Sequence, residues 1–377
     1  MRIPLAFLKH FAYPLLMTGM THCATNQVPQ RVLYLDTLRC VSIVGVVLLH
    51  CAMPLLGSSD MAELLPGLIY SALCMFCVPT LIMISGALLL GDPRPMRLGK
   101  FFGRRFAKIA WPLVIWSAVY YLATCLTEGS APNLISFGKR LLTGLWAGPL
   151  WFLYMIAGVY LMVPFLKPAF DNARTPLGPL FVGLSFVIMS LNLATRLLWQ
   201  HDLNTFLTSA VMPHYLAYFV LGHVLHQRTV RVPGGRVTLA LAFLACTAVN
   251  ALGEYACDSS PSMLPNSFFN YHQPFSILAA VSAFLLFKQE GCAGLGFASR
   301  IIQTVSRLSF GIFLVHALIL FLVTGALPLL VQPGHGLGST TVNPWVGPPL
   351  TALVVFTLSA LLTWGLRRTP WLRRAVP

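Results

Sequence analysis

Three residues in one apolar stretch, Asp36, Arg39 and His50, have side chains that can bind an anion and transfer a proton. Arg39 and His50 are eleven positions apart. On a helix they therefore differ by about 20° in direction and are separated by about 16 Å along the axis. Asp36 lies one turn before Arg39, within about 40° of the same face, and could neutralise the guanidinium. The spacing predicts a stripe with a cation for an anionic ligand and, deeper in, a titratable imidazole.

A structural interpretation of the same residues stays open. Arg39 could reach the membrane surface with its guanidinium, and His50 could be a packed, hydrogen-bonded side chain. A charged residue in the middle of a membrane helix costs roughly 2.5–3.5 kcal/mol on insertion scales, and such residues usually face a protein interior or a water-filled cavity. This cost favours the functional interpretation.

The element that carries these residues belongs to a chain that is apolar almost throughout. Only 9% of the 377 residues are charged and 57% are apolar, and runs of about 20 apolar residues recur. The composition predicts an all-α, polytopic membrane protein. We expect ten spans, at about 33–53, 65–90, 108–127, 149–166, 177–195, 209–226, 237–254, 271–288, 307–328 and 346–366.

The basic residues predict the orientation of these spans. With both termini in the cytoplasm, all but four of the 25 basic residues fall in cytoplasmic segments, the four being Arg39, Lys139, Arg140 and Arg196. We therefore expect a cytoplasmic leader over 1–32, a membrane domain over 33–368 and a basic cytoplasmic tail over 369–377. The net charge of +15 then reflects topology and contact with lipid headgroups, and we expect no nucleic-acid partner.

Several motifs resemble the membrane acyltransferase 3 family. An Arg, ten residues and a His form the family's signature in the first helix, which Arg39 and His50 match. The run 309–316, Ser-Phe-Gly-Ile-Phe-Leu-Val-His, is similar to a family motif that ends at His316, with Phe313 in place of the usual Tyr. Arg105 and Lys108 resemble the family's paired basic residues. The resemblance covers about residues 31–374 and is closest to the branch without a fused extracytoplasmic domain.

The resemblance implies a multi-pass O-acyltransferase of the bacterial inner membrane. The donor would be cytoplasmic acetyl-CoA, and the acceptor a sugar hydroxyl of a lipid-linked exopolysaccharide or O-antigen unit. His50 would act as general base or carry the acetyl group transiently. Arg39 would hold the donor or stabilise oxyanion charge, Asp36 would orient Arg39, and His316 would complete a polar chamber.

Further residues are candidates for binding the two substrates. Arg104, Arg105 and Lys108 could hold the phosphates of coenzyme A, although a topology signal explains them equally well. For the acceptor we expect contacts with Ser85, Trp151, Tyr154 and His272, where an aromatic belt is the alternative for Trp151 and Tyr154. We expect no metal site, since the Cys74/Cys77 and His223/His226 pairs lie in apolar runs without further ligands.

Two other functions are compatible with the composition. A secondary transporter would also have about ten spans and buried polar groups, but it would usually show broken helices or repeats. A structural component of a polysaccharide export complex would not need Arg39 and His50 on one face.

Overall fold

The chain is all-helical in a computed structural model, as predicted. The structure describes residues 32–92, 94, 96–170, 176–204, 214–260, 263–290, 296–326 and 343–377, and these contain no strand. Within them lie twelve α-helices: α1 Leu33–Ala52, α2 Met61–Cys74, α3 Cys77–Leu90, α4 Leu98–Glu128, α5 Leu134–Thr143, α6 Trp151–Phe170, α7 Leu177–Trp199, α8 His214–Gln227, α9 Gly235–Asp258, α10 Pro274–Glu290, α11 Gly296–Ala326 and α12 Gly347–Arg368.

Eight helical segments of the described chain are long and apolar enough to cross a membrane. They are Leu33–Gly57, Met61–Leu90, Leu98–Glu128, Gly148–Phe170, Leu177–Trp199, Gly235–Asp258, Ala298–Thr324 and Gly347–Arg368. The two remaining predicted spans, 209–226 and 271–288, correspond to the shorter helices α8 and α10. The count of ten and the cytoplasmic termini therefore stay predictions. The predicted leader lies outside the described residues except for Val32.

The span expected at 65–90 is not one continuous helix. It is divided into α2 and α3, with Met75 and Phe76 in the turn between them. Pro79 in the first turn of α3 explains the break, because its ring nitrogen cannot donate to the carbonyl of Met75 and its ring would clash with that carbonyl in a continuous helix. Cys74 and Cys77 flank the turn as free thiols.

Helix α4 extends well beyond its predicted apolar span. Its 31 residues correspond to a length of about 46 Å, whereas a bilayer's hydrocarbon core is about 30 Å thick. The added turns begin at Leu98 and carry the basic residues Arg104, Arg105 and Lys108. These residues therefore have the fixed spacing of a helix rather than the freedom of a loop.

Helix α1 lies against most of the helices that build the site. It contacts α2, α3, α10, α11 and α12, and its side chains Leu38, Ile43 and Val46 are buried while Val44 is exposed. Helices α3 and α8 cross at very close range. A Cβ atom on Gly86 would lie 1.7 Å from the carbonyl oxygen of Phe219, so only glycine permits this approach.

Candidate active site

Four of the residues singled out in the sequence line one cavity of about 300 Å³, called here the basic cavity. Helix α1 contributes Arg39, α3 contributes Ser85, and α4 contributes Arg105 and Lys108. The cavity is completed mainly by polar and aromatic side chains, among them Tyr160, Ser306, Ser309, Phe152, Phe310 and Phe313. Three cations line this cavity and no Asp or Glu of the described residues does, which makes it suited to an anionic ligand; Pro377, the last residue of the chain, also lines it.

The predicted pair of Asp36 and Arg39 is present, with a serine between them. Arg39 Nη1 lies 3.6 Å from Asp36 Oδ1, and the Asp36 carboxylate is buried. Ser306 of α11 donates its hydroxyl to the same oxygen at 2.5 Å and accepts from Arg39 Nη1 at 3.2 Å. Sequence reasoning missed this role of Ser306, although the residue lies three positions before the motif that ends at His316. The contacts fix the direction of the guanidinium.

A second basic space adjoins the first. This basic vestibule of about 220 Å³ is lined by Arg97, Lys100, Arg104, Arg105 and Lys167, together with Asp92, Arg94 and apolar side chains. Arg105 lines both spaces, and its guanidinium carbon is 5.8 Å from the ring centroid of Tyr160. Asp92 pairs with Arg94 at 2.7 Å, which lowers the pKa of the carboxyl group. Arg104 thus faces the vestibule, whereas Lys108 faces the basic cavity.

His50 lines a separate cavity of about 210 Å³, called here the histidine cavity. Trp151, predicted to contact the acceptor, lies in its wall, and its ring stacks on Tyr271 at a centroid distance of 6.1 Å. Ser71 and Asn266 add polar groups. The cavity therefore combines an imidazole, flat aromatic surfaces and hydrogen-bonding side chains in a largely apolar space.

The two histidines predicted for the site are neighbours. Their ring centroids are 5.1 Å apart. His316 Nδ1 lies 2.6 Å from the carbonyl oxygen of Phe313, and because a carbonyl can only accept, this nitrogen carries the proton. Nε2 of His316 is then an acceptor, and it is buried without a hydrogen-bond partner. His316 is thus adjacent to His50, and its Nε2 atom has a lone pair that accepts no hydrogen bond.

Two predicted acceptor contacts lie elsewhere. The Tyr154 hydroxyl donates to the carbonyl of Leu141 at 2.6 Å, and the His272 ring packs on His214 and Tyr215 at centroid distances of 4.4 and 4.6 Å. Neither residue is among those that line the basic or the histidine cavity. Their binding roles stay predictions.

A buried carboxylate that the sequence analysis did not select shapes the histidine cavity. Glu254 of α9 accepts backbone N–H groups from Asn266, Phe268 and Phe269 at 2.7, 2.8 and 2.9 Å. These bonds hold the loop that places Asn266 and Phe269 in the cavity wall. The signal for this role was in the sequence, because a carboxylate in an apolar helix needs partners. Within the described ranges, no group of three or more His, Cys, Asp or Glu is placed to hold a metal.

Long apolar helices around a cation-lined cavity and a largely apolar cavity that contains His50 define this chain as a multi-pass α-helical membrane protein with an internal site. Residues 32–367 match the acyltransferase domain of the acyltransferase 3 family. The chain belongs to that family and is a membrane acyltransferase, which confirms the predicted resemblance. Searches of curated proteins and of solved structures give no match.

Proposed function

We propose that this acyltransferase moves an acetyl group from cytoplasmic acetyl-CoA to a sugar hydroxyl of a lipid-linked exopolysaccharide or O-antigen unit, in a bacterial inner membrane. One observation carries the proposal. The basic cavity and the histidine cavity share the wall residues Phe152 and Phe313, so a cation-lined space adjoins a space that contains a base. A group transfer between an anionic donor and a neutral acceptor needs such a pair of spaces.

The distribution of cations supports coenzyme A as the donor. Its phosphates would bind in the basic vestibule, where Arg97, Lys100 and Arg104 offer charge-assisted hydrogen bonds. Arg105 connects the vestibule to the basic cavity, through which the thioester arm would extend toward Arg39. Because Arg39 is about 16 Å from His50 along α1, the two cannot contact one carbonyl group. This distance favours a role of Arg39 in holding the donor over a role in stabilising the oxyanion.

The contents of the histidine cavity support a sugar acceptor. The stacked rings of Trp151 and Tyr271 offer apolar faces on which the C–H groups of a sugar ring can lie. Asn266 and Ser71 can contact hydroxyl groups, and His50 is within the same space.

The transfer needs a base and then an acid, and His50 can be both. His50 would take the proton of the sugar hydroxyl as its oxygen attacks the thioester carbonyl carbon. The tetrahedral intermediate collapses, the C–S bond breaks, and coenzyme A leaves as a thiolate that takes the proton from His50. The products are an acetyl ester and the free thiol. His316 Nε2 would accept a hydrogen bond from the protonated His50 ring. A variant of the route, in which His50 first carries the acetyl group, uses the same residues.

Analysis of the surface glycan in a deletion strain tests the function. We expect polysaccharide of normal amount and length without O-acetyl groups, measured by NMR, and recovery on complementation with the full chain. Normal acetylation with loss of exported polysaccharide would instead indicate a transporter. Normal acetylation with loss of the assembled export complex would indicate a structural component.

A further inference from the structure

Two aromatic side chains stand where the basic cavity and the histidine cavity meet. Phe152, in the first turn of α6, and Phe313 of α11 line both cavities. Their ring centroids are 5.1 Å apart, and their exposed fractions are only 8% and 5%. The two rings therefore form the wall that the cavities share.

The pair is connected to the residues of the proposed chemistry. Phe313 lies one turn before His316, accepts its Nδ1 proton through the backbone carbonyl, and has its ring 5.7 Å from the imidazole. The ring of Phe152 is 6.1 Å from that of Trp151 in an edge-to-face contact. Movement of the Phe313 ring would therefore disturb His316, the neighbour of His50, and movement of the Phe152 ring would disturb Trp151 in the wall of the histidine cavity.

We propose that Phe152 and Phe313 form an aromatic partition that admits the acyl group of the donor and limits its size, favouring acetyl over longer chains. The inference rests on the proposed function. The reactive carbonyl must reach the side of the partition on which His50 lies, while the phosphates of the donor stay in the basic vestibule and its arm extends through the basic cavity. A two-carbon group needs a small displacement of the rings, whereas each added methylene must displace tightly packed aromatic atoms. The rings also separate the thioester from water in the acceptor space.

The test compares acyl donors of different length with the purified full-length protein in proteoliposomes. Its acceptor is the glycolipid fraction of a deletion strain, and transfer from acetyl-CoA, butyryl-CoA and hexanoyl-CoA is measured. We expect Phe313→Ala and Phe152→Ala to raise the ratio of butyryl to acetyl kcat/KM by about 10-fold or more, since several apolar contacts are removed from the passage. Without acceptor, hydrolysis of acetyl-CoA should also increase in both variants.

Phe76→Ala is the matched control. Phe76 is also 8% exposed and forms an edge-to-face pair with Phe243 at 5.3 Å, but it is not among the residues that line either cavity. Its chain-length ratio should equal that of the wild type. Phe152→Leu and Phe313→Leu, which keep most of the buried volume, give a smaller shift in the same direction and serve if an Ala variant fails to accumulate.

The outcomes separate the two proposals. If the wild type transfers acetyl groups and the partition variants keep its chain-length ratio, the aromatic partition is wrong and the function stands. If the wild type transfers no acyl group from any donor to the glycolipid, the proposed function itself is overturned. A shift of the ratio in the Phe76→Ala control as large as in the partition variants would also overturn the partition.

Discussion

At the scale of single residues, the site depends on how a few polar side chains are held inside an apolar protein. His50 opens onto a cavity, while the neighbouring His316 is fully buried and has its tautomer fixed by the carbonyl of Phe313. Asp36, Ser306 and Arg39 form a comparable set at the other end of α1. In the second set a group on α11, Ser306, orients groups on α1, whereas in the first the ring held by α11 lies beside the one on α1.

We expect His50→Ala to lower acetyl transfer by at least about 100-fold, because a general base contributes about 10²–10⁴ to such a rate. Protein in the membrane fraction should be unchanged, since the side chain lines a cavity and its removal uncovers no charge. Transfer by purified protein and O-acetyl content by NMR give the measurement. His201→Ala is the control, because His201 is exposed and remote from both cavities. Near-normal acetylation by the His50 variant would exclude it as the base.

A second prediction separates a charge role of Arg39 from a binding role. Lys keeps the charge but lacks the planar guanidinium, and Asp36→Asn with Arg39→Gln removes both charges without leaving one unpaired. If Arg39 holds the donor, both Arg39→Lys and the double variant lose most transfer activity at unchanged expression, since misplaced reacting groups can cost about 100-fold. This is the outcome that we expect. Near wild-type activity of the double variant would show that the pair with Asp36 is structural.

At the scale of elements, α1 and α4 place the cations. Three turns of α1 separate Arg39 from His50, and the helix therefore spans the boundary between the two cavities. One turn of α4 separates Arg105 from Lys108, which brings both into the basic cavity, whereas Arg104 is rotated toward the vestibule. The rigid helix explains why adjacent basic residues can contact different parts of one donor.

Neutralising the α4 cations should weaken donor binding more than acceptor binding. For Arg105→Gln with Lys108→Gln we expect the apparent KM for acetyl-CoA to rise about 10-fold or more, since hydrogen bonds to charged groups contribute about 1.5–3 kcal/mol each. The KM for the glycolipid acceptor should change little. The control, Arg231→Gln with Arg300→Gln, removes two exposed cations that line neither cavity. An unchanged donor KM in the α4 variant would leave these residues as topology signals.

Sequence periodicity was sufficient for the parts of the site that lie on one helix. The common face of Asp36, Arg39 and His50 follows from 3.6 residues per turn, and the pairing of Asp36 with Arg39 is confirmed. Contacts between helices distant in the chain could not be predicted in this way. Ser306 meets Asp36 across 270 positions, and Phe152 meets Phe313 only after α6 and α11 pack.

The structure differs from the sequence predictions at two places, Tyr154 and the break between α2 and α3, and each difference has a local cause. Trp151 and Tyr154 share a helix face, but the Tyr154 hydroxyl donates a hydrogen bond to the Leu141 carbonyl of α5 and is therefore engaged outside the cavities. Helix α5 was not predicted because its 10 residues are too few to give a strong apolar signal. The break between α2 and α3 had a signal in Pro79, which the overall hydropathy of the run concealed.

At the scale of the whole molecule, the orientation in the membrane decides which substrate reaches which cavity. The predicted topology places Arg231 in the cytoplasm and Lys139 outside. Both residues are exposed. With Lys139→Cys we expect labelling of intact cells by a membrane-impermeant maleimide, and with Arg231→Cys only after permeabilisation. The parent protein is the control, because its described cysteines are buried or half-buried. Equal labelling of both sites in intact cells would contradict the topology.

The aromatic pair between the cavities has a further consequence, which concerns the leakage of protons across the membrane. In the predicted topology the basic cavity lies nearer the cytoplasm and the histidine cavity nearer the outer side, and each unit charge that crosses an energised membrane releases about 2.3 kcal/mol per 100 mV. The packed rings of Phe152 and Phe313 lie where the two cavities meet, and as the proposed partition they would interrupt a chain of water between Arg39 and His50. Replacing Phe152 and Phe313 with small side chains would join the two cavities. Protons could then leak across the membrane through the protein, which would lower the proton-motive force of the cell.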